Sequence, residues 1–261
     1  MNKSIINISL WVLAILALMV FEVFAMHQHA NSICGELKLE LKNQNDYPIL
    51  TSEIELRTEL LQNYTPIEGQ KRKSLQLEQI EKKVGQISYL EKHIAFMQID
   101  GNMIIKASPR KGVIRIYNKA GQHFYLGTDT VVMPLSPKHS LRLLFANGAL
   151  PKLKDSFFNQ SGNDMDNLPT IYKKIYILAA KIQDDKFLNA LIDQIYIKPN
   201  QEIELIPKAG ISYIEFGDFA DMDNKLERLK TFYIKGQKKV DWNIYKSINL
   251  KYENQVVCTK K

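Results

Sequence analysis

The stretch Ile94-Ala95-Phe96-Met97-Gln98-Ile99-Asp100-Gly101-Asn102-Met103-Ile104-Ile105-Lys106 decides the fold of the first half of the chain. Apolar residues at Ile94, Phe96, Ile99 and Met103 to Ile105 flank Asp100-Gly101, a dipeptide suited to a tight reversal, so the spacing predicts a β-hairpin. Upstream, Leu75, Leu77, Ile80 and Val84 recur at threes and fours from Ser74, and Gly85 ends that helical pattern. Further back, Thr51 and Ser52 precede Ile54, Leu56, Leu60 and Leu61, with Glu55 three residues after Ser52. This is a capping box opening an amphipathic helix, which Pro66 and Gly69 close. Leu37, Leu39 and Leu41 alternate with Glu36, Lys38, Glu40 and Lys42, a half-buried strand that the polar run 43–46 ends. The order is strand, helix, helix, strand, strand: an α+β domain over residues 34–107.

Beyond it, Ile114, Ile116, Phe124 and Leu126 alternate between Val113 and Met133, and Met133-Pro134-Leu135-Ser136-Pro137 reads as a linker or domain junction. Ile171, Ile175, Leu178, Ala179 and Ile182 predict a helix after Pro169. Ile195, Ile197, Ile203, Leu205, Ile211, Tyr213, Ile214 and Phe216 predict three short strands in a small antiparallel sheet, punctuated at Pro199-Asn200 and Ala209-Gly210. Asp221 or Asp223 suits the N-cap of a helix with Leu226, Leu229, Phe232 and Tyr233 on one side and Lys225, Arg228 and Lys230 turned mostly elsewhere. A closing strand is expected from Ile248 to Val257. The second domain, mixed α+β with an antiparallel sheet, then covers residues 108–257, with 258–261 as a tail.

Leu10 to Phe21 carries no polar side chain, and Ile5, Ile6, Ile8, Val23, Phe24 and Ala25 extend the run to about the 20 residues that span a bilayer. Asn7, Ser9 and Glu22 interrupt it, and Glu22 lies at the far end, where its carboxylate can reach the headgroups. A single transmembrane helix is expected over 5–26, after a short cytoplasmic tail, 1–4. Lys3 and the amino terminus orient the chain with its N-terminus inside and its bulk outside. Val23-Phe24-Ala25 also resembles a small-residue cleavage site, so a cleaved signal peptide with a mature start near Met26 is the alternative.

The 261 residues are 45% hydrophobic and 24% charged, with 12 Gly and 9 Pro, which excludes collagen-like, disordered and low-complexity chains. The two cysteines, Cys34 and Cys258, stand near opposite ends, so a disulfide-stapled miniature fold and a multi-cysteine metal site are excluded and both read as free thiols. A net charge of +7 suits an acidic partner or an anionic membrane surface. No serine elbow, P-loop, paired His-Glu metal helix or glycine-rich dinucleotide turn is present, so no catalytic residue, cofactor or metal is expected. His27, His29 and Cys34 come nearest to a metal set but lack a fourth ligand. Lys71-Arg72-Lys73 and Arg110-Lys111 are short and scattered, and read as solvated loops rather than a nucleic-acid surface.

The β-α-α-β-β order just outside a membrane segment resembles a POTRA domain, an unrelated α+β domain of the same order being the alternative. Ile214-Glu215-Phe216-Gly217-Asp218, Lys225-Leu226-Glu227-Arg228-Leu229-Lys230, Trp242, Tyr245 and Ile248 to Val257 together resemble the C-terminal half of the FtsQ/DivIB cell division proteins, in the version typical of Bacteroidetes-type bacteria. The resemblance runs back through Met133-Pro134-Leu135-Ser136, Phe124-Tyr125, Asp100-Gly101 and Leu50-Thr51-Ser52, covering roughly Cys34 to Cys258. Gly112 stands at a usual proline position, and Gly127 and Thr130 stand where the family tends to have Asp and Gly.

What the resemblance implies is a non-catalytic bitopic scaffold of the inner membrane, single-pass, with its bulk in the periplasm at the division septum. It would link early and late division proteins, the POTRA-like unit helping to recruit it to the divisome. Its C-terminal end would bind FtsB-like and FtsL-like single-span proteins to regulate septal peptidoglycan synthesis, with no nucleic acid involved. The partner positions carried over are Lys251, Tyr252, Asn254, Gln255, Val256 and Val257. A last strand at a sheet edge can accept another strand, backbone pairing giving affinity and alternate side chains specificity; a plain closing strand is the alternative. Two other functional readings are a POTRA module assisting outer-membrane protein assembly with a separate barrel partner, and a secreted hydrolase released by signal cleavage.

Overall fold

A computed structural model describes residues 3–42, 48–63, 67–158, 167–236 and 244–261. The chain divides into two compact units: unit 1 comprises residues 1–42, 52–85 and 92–108, and unit 2 comprises 43–51, 86–91 and 109–261. The polar run 43–46, Pro66, Trp242 and the side chains of residues 5–10 and His29 lie outside the described residues.

Unit 1 begins with α1 (Lys3–Asn31) and continues through β1 (Leu37–Leu41), α2 (Glu53–Asn63), α3 (Leu77–Val84), β2 (Leu90–Met97) and β3 (Met103–Pro109). The strands order as β1-β3-β2, with β1 parallel to β3 and Leu37, Leu39 and Leu41 opposite Met103, Ile105 and Ala107. Leu37, Leu56, Leu60, Ile67, Ile80, Val84, Met103 and Ile105 are buried. The capping box forms: Ser52 N donates to Glu55 Oε2 at 3.1 Å, and Glu55 N donates to Ser52 Oγ at 3.3 Å.

Three details of unit 1 differ from expectation. Arg72–Ser74 is a separate 3₁₀ turn, so α3 starts at Leu77 rather than Ser74. Gly85 caps α3 with right-handed backbone, φ −63°, so its glycine character serves the close approach of the His93 ring instead. Ile99 is not a strand residue: Gln98 N bonds to Asn102 O (2.8 Å) and Gly101 N to Gln98 O (3.2 Å), a turn with Gly101 at φ +95° that leaves Ile99 94% exposed. Along α1, Trp11, Leu13, Val20, Phe21, Val23 and Phe24 are 62–71% exposed. Among the described residues no helix is long and apolar enough to cross a membrane, and the side chains of 5–10, which the expected span includes, are not among them.

Unit 2 is built on nine strands among the described residues, in the order β12-β11-β10-β9-β8-β7-β4-β5-β6. They are β4 (Gly112–Tyr117), β5 (His123–Gly127), β6 (Val132–Pro134), β7 (Leu144–Gly148), β8 (Ile192–Ile197), β9 (Ile203–Pro207), β10 (Tyr213–Gly217), β11 (Tyr245–Asn249) and β12 (Val257–Lys260). The three expected strands are β8, β9 and β10, and they pair antiparallel, but three other pairs, β4/β7, β7/β8 and β10/β11, are parallel, so the antiparallel strands belong to a large mixed sheet. The helices are α4 (Thr170–Asp184), α5 (Lys186–Leu191) and α6 (Met222–Gly236). Tyr172, Ile175, Leu178, Ala179 and Ile182 of α4 join Ile116, Phe124, Ala146, Ile195, Leu205, Ile214 and Ile248 in one continuous core.

No junction exists at Met133–Pro137. Val132–Pro134 is one of the two edge strands of the described sheet, a place where a proline is tolerated, and Met133 is buried with Leu50, Tyr125 and Leu141. Two charged residues, one read as part of a solvated loop and one placed off the apolar side of its helix, are buried. Arg110 is 3% exposed, and Lys225 is 6% exposed with Nζ 2.7 Å from Asp218 Oδ1 and 5.1 Å from the centre of the Phe216 ring. In both cases a long apolar stem is covered and the charge finds a carboxylate, a combination that residue type alone does not reveal.

At the β5–β6 turn, Thr130 N bonds to Gly127 O at 2.9 Å and Thr130 adopts φ +63°, a left-handed conformation unfavourable for a β-branched residue. Its hydroxyl recovers part of the cost by donating to Asp129 O at 2.6 Å. Thr130→Gly is therefore expected to raise stability by about 0.5–1 kcal/mol in urea denaturation followed by circular dichroism. A loss instead would mean that the hydroxyl bond outweighs the strain.

Candidate functional site

The last two strands form one end of the unit 2 sheet. β11 joins in parallel with β10, Ile214 opposite Ile248, and β12 pairs antiparallel with β11, Ile248 opposite Cys258 and Asn249 opposite Val257. The expected strand from Ile248 to Val257 is therefore two strands and a turn. Leu250, fully buried, ends β11 with its N–H on the Glu215 carbonyl (2.9 Å), and residues 252–254 turn the chain back, Asn254 at φ +57°. Asn tolerates that conformation because its short polar side chain can bond locally. β12 has one neighbour in the described sheet, so its other edge pairs with no strand among the described residues.

Arg228 of α6 holds this turn. Its Nη2 donates to Leu250 O at 3.0 Å, and its Nη1 donates to Gln255 O at 3.1 Å and to Tyr252 O. One rigid guanidinium thus gathers three carbonyls that a turn this short cannot satisfy by itself. Between α6 and the turn lies a groove of about 980 Å³. Asn224, Glu227, Arg228, Thr231 and Lys235 form its helical wall, repeating at threes and fours, while Leu226 and Leu229 of the same helix face the core. Glu253, Asn254, Gln255 and Val256 form the opposite wall, and Phe232 and Val256 supply apolar surface. The charged lining is mixed: Asp221, Glu227 and Glu253 against Arg228 and Lys235.

The six sequence-predicted positions divide. Asn254, Gln255 and Val256 line the groove, Val257 opens the edge strand at 40% exposure, and Tyr252 is 52% exposed beside the turn. Lys251 is engaged elsewhere. Its Nζ lies 3.2 Å from Glu215 Oε2 and 3.7 Å from Glu202 Oε1, and the hydrogen bond to Glu215 raises its pKa. Its stem lies over Gly217, where a Cβ would come within 2.8 Å of Lys251 Cγ. Lys251 thus ties the turn to the sheet. Arg228 was the residue that sequence reasoning missed; a helical arginine has no signature distinguishing a surface charge from one that clasps a loop.

Behind β12, Cys258 is half-buried against the core and burial raises its thiol pKa; Tyr233 is pushed up to about 12, chiefly by burial. Cys34, in unit 1, is buried and raised likewise. Both cysteines are free. Among the described residues no group of His, Cys, Asp and Glu could hold a metal ion.

A mixed sheet with a terminal edge strand, flanked by a groove on its last helix, is an arrangement that can accept an extended polypeptide. The FtsQ/DivIB, C-terminal related family model matches residues 108–259, and the chain belongs to that family. No curated protein is matched. Membership brings a cell-division role and association with the divisome, and proteins of the family are generally non-catalytic.

Proposed function

We propose that the protein is a non-catalytic bitopic scaffold of the division site that binds an FtsB-like and FtsL-like pair through β12 and the adjoining groove. The observation that carries this reading is the open edge of β12 beside a groove built from α6 and the 253–256 turn. An incoming strand would pair with the β12 backbone, while Tyr252, Asn254, Gln255, Val256 and Val257 would select its side chains. Lys251 would act through the shape of the turn. In this reading α1 holds the chain in the inner membrane as a single pass, with both units in the periplasm, and supporting this are its 29 residues and the outward apolar side chains between 11 and 27. Unit 1, with its β-α-α-β-β order and parallel β1/β3 pair, would be a POTRA domain that helps recruit the protein to the divisome.

Truncation before Ile248 is a poor test, because it removes Ile248 and Leu250 from the core. Lys260→Pro is sharper. Lys261 N donates to Ile244 O at 3.0 Å, so strand alternation turns the Lys260 N–H to the open edge, where proline removes a donor without breaking the β11 ladder. The expected result is unchanged thermal unfolding with affinity for the co-expressed pair reduced about tenfold or more, measured by biolayer interferometry. Unchanged affinity in the folded variant would rule out strand addition at β12.

A further inference from the structure

The end of unit 1 nearest α1 has a composition that the binding site in unit 2 does not use. As α1 ends, Arg72 N donates to Ser32 O (2.9 Å), Cys34 N to Gln70 O (2.7 Å), Gly69 N to Cys34 O (2.9 Å) and Gly35 N to Gly101 O (2.9 Å). Arg72 Nη2 also donates to Gln98 O at 2.6 Å. These bonds fasten the 69–72 segment and the β2–β3 turn to the point where the helix stops. They gather Ile33, 64% exposed, and Ile99, 94% exposed, with exposed Lys71 and Lys73. Asp100, next to Ile99, has its carboxylate turned back onto Asn102, whose backbone N–H (3.0 Å) and Nδ2 (2.9 Å) donate to it. Glu68 is paired with Arg57 at 2.7 Å. The end therefore presents two exposed lysines and two bare isoleucines, with the carboxylates of Asp100 and Glu68 engaged.

We infer that this end of unit 1 is a membrane-interface contact in which Lys71 and Lys73 meet anionic phosphodiester headgroups and Ile33 and Ile99 settle among them. The inference rests on the reading of α1 as a membrane anchor. The helix continues five residues beyond Met26, about 7–8 Å at 1.5 Å per residue, comparable with the headgroup layer of one leaflet. Ser32 thus emerges at headgroup level, and a lysine side chain reaches the phosphates from there. Isolated exposed isoleucines are ordinary on protein surfaces; a pair held beside two lysines that have no carboxylate partner among the described residues, at the exit of an apolar helix, matches the composition of interfacial anchors. The contact would fix unit 1 against the bilayer instead of leaving it to swing on a single helix.

The test uses the full-length protein in phospholipid nanodiscs, of phosphatidylcholine alone or mixed with phosphatidylglycerol, read by amide hydrogen exchange. Segments 71–73 and 98–101 should exchange several-fold more slowly in the anionic discs. Lys71→Glu combined with Lys73→Glu should abolish that difference without altering exchange in α2 or β1. Equal exchange of both segments in the two disc types, with the protein still disc-bound, overturns the contact while leaving the anchor intact. Protein that separates from the discs on gel filtration overturns the anchor reading itself, and the contact with it. Slowing in neutral discs supplied with inorganic phosphate would assign the cations to a free anion and overturn the membrane contact.

Discussion

Asp129→Ala should destabilise unit 2 by about 3–5 kcal/mol, because it strands a buried guanidinium. The Arg110 side chain is 2% exposed, and its Nε donates to Asp129 Oδ2 at 2.9 Å while Nη1 donates to the Ser88 carbonyl. Its backbone N–H bonds to Tyr89 O at 2.7 Å, so one residue joins the 86–91 segment to the β5–β6 turn. The stem runs over Gly127, where a Cβ would lie 2.6 Å from Arg110 Cδ; glycine there provides the room that the arginine occupies. Arg110→Ala should cost a comparable amount, leaving a cavity and an unpaired carbonyl, although Asp129, 26% exposed, can turn to water. Arg110→Met combined with Asp129→Ala removes both charges and keeps the volume, so it should be clearly more stable than Asp129→Ala alone. Urea denaturation of the wild type, Arg110→Met, Asp129→Ala and the double variant, with hydrogen exchange in β4 and β5 to localise the loss to unit 2, measures the cycle. Additive losses would mean that the ion pair carries no coupling and that packing of the arginine stem accounts for the whole effect.

What could be read from the sequence followed where local patterns had a single structural solution. The capping box at Ser52 and Glu55, the reversal at Asp100-Gly101 and the alternation of β1 each appear where their spacing placed them. β7 was invisible. Leu144-Phe145-Ala146-Asn147-Gly148 contains Ala, Asn and Gly, residues depleted in strands, and it is a strand because β4 and β8 pair with it on both sides, in parallel and from distant parts of the chain. α5 was missed for a related reason. Six residues hold as a helix because Asp185 caps them, accepting from Phe187 N (2.8 Å) and Leu188 N (3.0 Å), and Lys230 of α6 pairs with the same carboxylate at 2.6 Å, holding its pKa down. At the candidate site, one continuous strand was expected where Asn254 at φ +57° and the Arg228 clasp make a turn. Backbone reversals built by a distant side chain leave no periodic trace.

Gly148→Ala should cost about 3 kcal/mol or more, and its loss should centre on β7 and β8 rather than on β12, five strands away. Gly148 ends β7 at φ +102°, and a Cβ there would lie 2.2 Å from Ile197 O, 2.9 Å from Ile197 N and 3.0 Å from its carbonyl carbon. These are backbone atoms of β8, so no side chain can swing aside; relief requires the β7 and β8 backbones to part. The same carbonyl accepts Ala149 N at 2.7 Å, the bond that leads the chain on to buried Leu150 and Leu153. Gly121 is the control, with φ +78° and nothing within 4 Å of its Cβ position, so Gly121→Ala carries only the left-handed strain of about 1–2 kcal/mol. The difference between the two variants isolates the clash from the backbone preference, which is where the larger loss should fall. Because β7 is the sole strand joining β4, β5 and β6 to the β8–β12 half among the described residues, parting it from β8 divides the sheet. Hydrogen exchange should then accelerate in β7 and β8 well before β11, and a variant that remains folded at low temperature should still pair through β12. Exchange that rises uniformly across all nine strands would instead make the sheet a single cooperative block, in which strain at Gly148 and loss of the β12 edge are one event.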